Sequence, residues 1–226
     1  MSNTFRSGIA KTSRAYIDDA SRHLNDTGVV IVEGFDQRVV DDLYREAAKF
    51  FGSDRRYLFS GSNWGYLAEG KVTGECERER FDFRNPRFST IEVHRRCDIG
   101  IKCMPKGEWP TYREFPMLRP LFTELFDSAL DIGQALSENV MNTYMSIFKY
   151  QGSSAGFRIR KHEDDSYTIN FTPQGESLEV LLKNRWTPVL LEGGNVAVVG
   201  PRMLHRVQNQ APHAARYSIV FSYDVV

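Results

Sequence analysis

One short segment in the last third of the chain combines side chains that can bind a metal. The segment RKHEDDSYTINF, residues 160–171, contains a histidine and three acids, followed by alternating apolar residues. Side chains in a strand alternate between its two faces, so His162 and Asp164 are expected to point the same way. Glu163 would point away from them, and Asp165 would lie in the turn. The segment therefore predicts two ligands of a metal site on one face.

A third ligand must come from another part of the chain. The chain has five histidines: His23, His94, His162, His205 and His213. His205, in MLHRVQN, is the best candidate, because that segment is typical of another strand of the same sheet. Two histidines and one carboxylate form the facial triad that binds Fe(II) and leaves positions open for substrate and oxygen. Zinc hydrolases can use the same ligands, so the triad alone leaves the reaction open.

A candidate carboxylate-binding pair follows His205 in the sequence. In RYSIVFSY, Arg216 and Ser218 are spaced so that they share one face of the next predicted strand. A guanidinium makes two charge-assisted hydrogen bonds to a carboxylate, and a hydroxyl can add a third. A metal triad beside such a pair predicts a ketoacid co-substrate, which favours an oxygenase over a hydrolase.

Each of these features also has a purely structural explanation. A His-x-Asp pair before a strand is commonly a solvated turn, and single residues such as His205 and Arg216 are commonly structural. The prediction depends on the presence of all these features in this order.

A separate segment, GYLAEGKV, is similar to a phosphate-binding loop. It has Val72 where a magnesium-binding Ser or Thr is required, which argues against a nucleotide triphosphatase.

Hydrophobic periodicity predicts helices in the first part of the chain. Residues 12–25 and 37–52 are expected to be helical, with a short buried strand over residues 29–35 between them. Apolar residues recur at helical spacing again over residues 120–140, which predicts a long helix that buttresses the rest of the fold. These elements would form a layer against which a sheet can pack.

The remaining elements are predicted to be loops and strands. Residues 53–115 are rich in Gly, Arg and aromatic residues, which indicates mostly loop with short strands near residues 81–83. From Tyr144 onward, short apolar segments alternate with Gly, Pro and charged turns, a pattern typical of an antiparallel sandwich or barrel. The expected fold class is α+β, in a single domain over residues 1–226.

Charge and composition exclude several classes of function. The chain has 29 basic and 29 acidic residues, so no general attraction to nucleic acid or to an anionic membrane is expected. The first residues lack the apolar core of a signal peptide, and the apolar runs are too short to cross a membrane. Three cysteines without CxxC spacing fit a reducing compartment. These features predict a cytoplasmic protein whose partner must be identified from local sites.

The chain resembles the isopenicillin N synthase-like branch of the Fe(II)- and 2-oxoglutarate-dependent oxygenases. The specific matches are SIFKY, HEDDSYTINFTP, SLEVLLKNRWTPV, NVAVVG, HRVQN and RYSIVFSY, and looser ones are TGVVIVEGF, EAAKFF, GYLAEGK and ERFDF. The resemblance implies a double-stranded β-helix, or jelly roll. Its core strands would come from residues 141–226, with helices and loops of residues 1–140 packed outside.

The same resemblance implies a reaction and a set of site residues. The positions that match the family's iron ligands are His162, Asp164 and His205. The positions that match its co-substrate residues are Arg216, Ser218 and Tyr150. The implied activity uses O2 and 2-oxoglutarate to hydroxylate or desaturate a small polar substrate, such as an amino acid or a natural-product intermediate, with release of succinate and CO2. The carboxylate of Asp164 argues against halogenation. The alternatives are an iron oxidase that does not use 2-oxoglutarate and a non-catalytic jelly-roll binding protein.

Substrate contacts are predicted from strand parity and from the family pattern. The predicted positions are Arg158, Arg160, Asn63, Trp64, Tyr66, Phe221 and Tyr223. The sequence departs from the family in one place, because VVGPRMLHRV runs almost directly into His205 without the usual Gly-Asp turn and further loop. This shorter segment is expected to change how the metal site is covered.

Overall fold

Twelve strands, three α-helices and one 3-10 helix make up the described part of the chain. The computed structural model describes residues 4–6, 14–33, 35–59, 65–71, 77–84, 114–151, 157–171, 178–189, 191, 194–210 and 215–225. The helices are α1 (Arg14–Thr27), α2 (Gln37–Gly52), the 3-10 helix Asp54–Phe59 and α3 (Leu118–Leu136). The strands are β1 (Thr4–Arg6), β2 (Val29–Glu33), β3 (Gly65–Lys71), β4 (Glu77–Arg84), β5 (Val140–Gln151), β6 (Phe157–His162), β7 (Tyr167–Phe171), β8 (Leu178–Leu182), β9 (Arg185–Val189), β10 (Asn195–Val199), β11 (His205–Gln210) and β12 (Ala215–Val225).

The strands form two sheets. The larger has the order β1-β2-β10-β7-β12-β5-β4-β3, and the smaller has the order β6-β11-β8-β9. In the large sheet only β1 and β2 pair in parallel, and the pairs of the small sheet are all antiparallel. This arrangement is a double-stranded β-helix, so the predicted α+β fold class is confirmed.

The large sheet has one face toward the helices and one toward the small sheet. On β12, Ile219 and Phe221 are buried with the helices, and Met145 and Ile147 of β5 join the same core. Neighbouring positions, such as Ser146 of β5, line a cavity on the other face. The alternation follows from the period of two of a strand.

Helices α2 and α3 cover the outer face of the large sheet. Asp36 caps α2, where its Oδ1 accepts a hydrogen bond from the Arg38 amide at 2.9 Å. The buried carboxylate of Glu46 in α2 accepts a hydrogen bond from the Met117 amide at 3.3 Å, at the start of α3. Phe126 of α3 packs edge-on against Phe221, with ring centroids 5.0 Å apart. The helices therefore fix the sheet from behind and leave its other face open.

The observed elements agree with most of the sequence predictions. The helix over residues 37–52 is confirmed with the same bounds, and the helix predicted over residues 120–140 begins and ends earlier, at Leu118–Leu136. The short strands predicted near residues 81–83 are one longer strand, Glu77–Arg84, which is paired on both sides. Much of the predicted loop over residues 53–115 lies outside the described residues, and the single domain stays a prediction. None of the helices in the described part of the chain has the length and hydropathy needed to span a membrane.

A group of charged residues joins β4, β5 and the 3-10 helix on the helix-facing side. The Glu79 carboxylate lies 2.6 Å from the Lys149 Nζ and 3.2 Å from the Arg56 Nε, and it accepts a hydrogen bond from the Tyr66 hydroxyl at 2.6 Å. Burial would raise the pKa of Glu79, but hydrogen bonds from Lys149 and Tyr66, with the two positive charges, lower it overall. Burial and the hydrogen bond to Glu79 raise the pKa of Tyr66 to about 12, so this hydroxyl stays neutral.

Replacing Glu79 should destabilise the fold. We expect Glu79→Gln to lower the free energy of unfolding by about 2 kcal/mol at neutral pH, because it leaves two cations without their shared carboxylate. The folded-state pKa of Glu79 is lowered, so its contribution is present above the unfolded-state pKa and is lost as the pH falls through the folded-state value. Urea unfolding of wild type and variant should therefore converge between about pH 5 and pH 3. The exposed Glu124 provides the control Glu124→Gln, and an equal loss in both variants would contradict the prediction.

Candidate metal centre

Two neighbouring strands of the small sheet bring His162 and His205 together. His162 is the last residue of β6, His205 is the first residue of β11, and the two are register partners in an antiparallel pair. Their ring centroids lie 4.1 Å apart. With Asp164 they form the group, among the described residues, that could hold a metal ion, and its ligand atoms all lie within 4.8 Å of one another.

Asp164 reaches this group by a route that strand alternation does not describe. Strand β6 ends at His162, so Asp164 lies in the following turn and not on the same strand face. The Arg202 amide donates a hydrogen bond to the Asp164 carbonyl at 2.7 Å, which fixes the main chain of the turn. The Asp164 Oδ2 lies 3.5 Å from the His205 Nε2. The predicted proximity is therefore found, but the reason given for it was wrong.

The surroundings of His205 select one form of its imidazole. The His205 Nδ1 lies 2.9 Å from the Met203 carbonyl oxygen, which can only accept a hydrogen bond, so Nδ1 carries the proton. The Nε2 then presents its lone pair toward Asp164 and His162. In metal-binding histidines, a hydrogen bond from the other ring nitrogen fixes the tautomer in the same way. Burial lowers the pKa of His205, and the nearby His162 lowers it further. A neutral imidazole is the form that binds a metal.

The short segment before His205 is a compact turn, residues 200–204, between β10 and β11. The Gly200 amide donates to the Gly28 carbonyl at 2.8 Å, and the Leu204 carbonyl accepts from the Leu181 amide at 2.8 Å. Through Arg202 the same turn also donates to Asp164, as described above. The shortened sequence therefore connects the residue that follows α1, strand β8 and the segment that carries Asp164.

A cavity of about 390 Å³ opens beside the three ligands, between the two sheets. The small sheet contributes His162, His205 and neighbours, and the large sheet contributes side chains from β4, β5, β7 and β12. These large-sheet residues are Arg78, Arg80, Tyr144, Ser146, Phe148, Tyr150, Thr168, Asn170, Arg216, Ser218, Val220 and Ser222. All twelve numbers are even, because the register between these strands keeps one parity on one face.

The predicted carboxylate-binding residues lie in this cavity. Arg216 and Ser218 are buried, at 4% and 5% exposure, and they belong to the large sheet, opposite the histidines. Tyr150 is the register partner of Arg216 on β5, and the Arg216 Cζ lies 5.6 Å from the Tyr150 ring centroid. A carboxylate between the sheets could therefore meet Arg216 and Ser218 while the rest of the molecule reaches the histidines.

Three of the predicted substrate contacts are wrong. Phe221 and Tyr223 have the opposite parity to Arg216, and both are fully buried in the core shared with α3. Tyr66 is also in that core, with its hydroxyl on Glu79. Asn63 and Trp64 lie outside the described residues. Arg158 and Arg160 lie in β6, but their side chains are outside the described part, so their assignment stays a prediction.

Sequence reasoning missed most of the large-sheet wall of the cavity. The segment YMSIFKY alternates apolar Met145 and Ile147 with Tyr144, Ser146 and Phe148, and this alternation was the available signal. The pKa of Tyr144 is raised by burial, against a hydrogen bond with Ser222, and the charges of Asp82, Asp164 and Arg80 also act on it. Tyr144 therefore belongs to a cavity wall that also includes Asp164 and Arg80.

Comparison with solved structures identifies relatives of the fold. No family model and no curated protein matches the sequence. A protein described as a 2OG-Fe(II) oxygenase family member from Caulobacter crescentus matches with a TM-score of 0.74 and 17% identity over 99% of this chain and 87% of that one. A full-length Neurospora crassa protein in complex with alpha-KG matches with a TM-score of 0.71 and 15% identity over 93% of this chain and 79% of that one.

A plant enzyme has the same architecture. The dioxygenase for auxin oxidation 1 from Arabidopsis thaliana, solved with 2-oxoglutarate, matches with a TM-score of 0.68 and 14% identity over 98% of this chain and 92% of that one. The Neurospora crassa protein has also been solved with alpha-KG and thymine. At these identities the comparisons establish the fold, and the chain therefore adopts the double-stranded β-helix of 2OG-Fe(II) oxygenase family structures.

Proposed function

We propose that the chain is a non-haem Fe(II)- and 2-oxoglutarate-dependent oxygenase that hydroxylates or desaturates a small polar substrate. One observation carries this proposal: the His162, Asp164 and His205 group lies at the same cavity as Arg216 and Ser218. The small sheet thus offers metal ligands, and the large sheet offers a partner for a carboxylate. The structural relatives that bind 2-oxoglutarate support the same class.

The donor set fits Fe(II). Two imidazoles and one carboxylate are the ligands of the facial triad, which leaves positions for a chelating ketoacid and for oxygen. Two ligand atoms, each about 2.1 Å from one ion, lie no more than about 4.2 Å apart. The ligand atoms of the group lie within 4.8 Å of one another, which is close to that limit.

The residues of the chain would bind and orient the reactants. His162, Asp164 and His205 would hold the metal, and the Met203 carbonyl would keep His205 in its ligand tautomer. Arg216 and Ser218 would bind the distal carboxylate of 2-oxoglutarate, with Tyr150 beside them. When bound, iron and 2-oxoglutarate supply the oxidising power, and the co-substrate becomes succinate and CO2. The buried part of the cavity around Arg216 and Ser218 would keep bulk water from the bound co-substrate.

The finer assignment to the isopenicillin N synthase-like branch rests on the sequence stretches quoted above. The small-molecule substrate is supported by the cavity volume, since 390 Å³ lies near the lower end of the range of about 300–1,000 Å³ for ligand pockets. The retained carboxylate of Asp164 supports hydroxylation or desaturation over halogenation. An amino acid or a natural-product intermediate would fit this space.

Anaerobic titration tests the proposal. Fe(II) and 2-oxoglutarate added to the purified protein should produce a visible charge-transfer band, and oxygen should then release succinate from 2-oxoglutarate. A protein that binds Fe(II) but never consumes 2-oxoglutarate would be an iron oxidase of the same fold. A protein that binds no Fe(II) would be a non-catalytic binding module, and the proposal would be wrong.

A further inference from the structure

Two arginines on β4 line the cavity and have no role in the proposed function so far. Arg78 and Arg80 are separated by one residue, so they share the cavity-facing side of the strand, and both are partly exposed to the cavity. The residue between them, Glu79, faces the other way and binds Lys149. Strand β4 therefore adds two positive side chains to the wall that already contains Arg216.

An aromatic pair on β5 lies between these arginines and the proposed co-substrate residues. In the register of the sheet, Arg78 pairs with Tyr150 and Tyr150 pairs with Arg216, so β5 lies between Arg78 and Arg216. Phe148 and Tyr150 stack with ring centroids 5.8 Å apart. The Arg78 Cζ lies 5.4 Å from the Phe148 centroid. The cavity thus has one cationic side at β12 and another at β4.

Arg80 lines the same cavity as the proposed metal ligands and is paired with Asp82. The Asp82 Oδ2 lies 3.1 Å from the Arg80 Nε, and Asp82 is only 3% exposed, so this carboxylate pairs with the guanidinium on the same face of β4. Arg80, Tyr144 and Asp164 all line the same cavity. A molecule between the metal and β4 would therefore contact Arg80.

We propose that Arg78 and Arg80 bind a carboxylate of the primary substrate and so select small carboxylic acids. This inference rests on the proposed function and specifies its substrate class. A guanidinium matches a carboxylate with two parallel hydrogen bonds, and two such groups on one strand face give the substrate a fixed orientation. Binding at β4 leaves Arg216 and Ser218 to the co-substrate. Phosphate has the same anionic chemistry, so the experiment includes a phosphate arm.

The experiment compares matched acids and amides. The protein is loaded anaerobically with Fe(II) and 2-oxoglutarate, and binding is measured by calorimetry for the common L-amino acids and short-chain carboxylic acids, each beside its primary amide. We expect at least one acid to bind about tenfold or more tightly than its amide, since an ionised partner strengthens a hydrogen bond. Acids and amides that bind alike, or no binding by any acid, would overturn the proposal. O-phosphoserine that binds more tightly than every carboxylic acid would also overturn it.

Substitutions on β4 then test whether Arg78 and Arg80 cause the preference for acids over amides. Arg78→Gln and Arg80→Gln should each weaken binding of the acid by about 10- to 100-fold and leave its amide unchanged. Arg80→Gln combined with Asp82→Asn guards against misfolding, because it removes both charges of the ion pair and does not leave the buried Asp82 carboxylate without its cation. The exposed Arg185 on β9 provides the control Arg185→Gln, which should bind the acid like wild type. Loss of 2-oxoglutarate affinity in the β4 variants, with acid binding intact, would assign these arginines to the co-substrate instead.

The two proposals fail in different ways. The wild-type protein could form the charge-transfer band and release succinate without distinguishing acids from amides. That result would support the proposed function and contradict the proposed role of Arg78 and Arg80. A wild-type protein without the band loses the proposed function before any acid is tested.

Discussion

His205→Ala should eliminate the charge-transfer band and reduce 2-oxoglutarate turnover to background. The change removes the one buried ligand of the triad, and two exposed or half-exposed ligands do not hold Fe(II) in the required geometry. The measurement is the anaerobic titration with Fe(II) and 2-oxoglutarate, together with direct determination of bound iron. His162→Ala should have the same effect, although His162 contributes less to packing because it is exposed.

Two further variants make this result interpretable. His205→Gln keeps most of the side-chain volume, so a normal circular dichroism spectrum with no band would separate loss of metal from loss of fold. His23→Ala removes a histidine from α1 that does not belong to the group, and it should titrate like wild type. Full iron binding and turnover in His205→Ala would show that the metal is held elsewhere.

Arg216→Ala should raise the dissociation constant for 2-oxoglutarate by about 100-fold while leaving Fe(II) binding intact. A guanidinium that binds a carboxylate through charge-assisted hydrogen bonds contributes about 1.5–3 kcal/mol per bond, and the buried position of Arg216 keeps water from replacing it. Arg216→Lys retains the charge but not the paired geometry, so it should recover only part of the affinity. The measurement is the 2-oxoglutarate dependence of the band and of succinate release.

The matched control is Arg185→Ala, at an exposed position of β9. Ser218→Ala should weaken the binding of 2-oxoglutarate by less, about tenfold, because it removes a single hydrogen bond to the carboxylate from an uncharged donor. If folded, iron-loaded Arg216→Ala binds 2-oxoglutarate as tightly as wild type, another cation of the cavity must bind the carboxylate.

Local patterns predicted the elements and the members of the metal group well. The amphipathic segment QRVVDDLYREAAKFFG begins after a capping residue, Asp36, and ends at Gly52, so its bounds follow from local signals. The bounds of α3 are harder to predict from the sequence, because its N-cap residue, Met117, makes no side-chain capping hydrogen bond and its amide donates to Glu46 of α2. A stabilising side chain that is distant in the sequence gives no local signal near the helix end that it stabilises.

The errors at the site have a common physical cause. Parity along β12 separates Arg216 and Ser218 from Phe221 and Tyr223, and consistent use of that rule would have assigned the two aromatic residues to the core. Parity also depends on where a strand ends, and β6 ends before Asp164. Pairing between distant strands is not encoded locally, so Arg78 and Arg80 could not be placed beside Arg216 until the register through β5 was known.

The shared parity of the cavity-facing residues sets limits on insertions and deletions. Removal of a single residue such as Ile147 would turn the rest of β5 over, bring Lys149 into the cavity and take it away from Glu79. An insertion or deletion of two residues would keep the faces in place and shift only the alignment along the strand. Length changes in this wall should therefore be tolerated in the turns and, within the strands, only in steps of two.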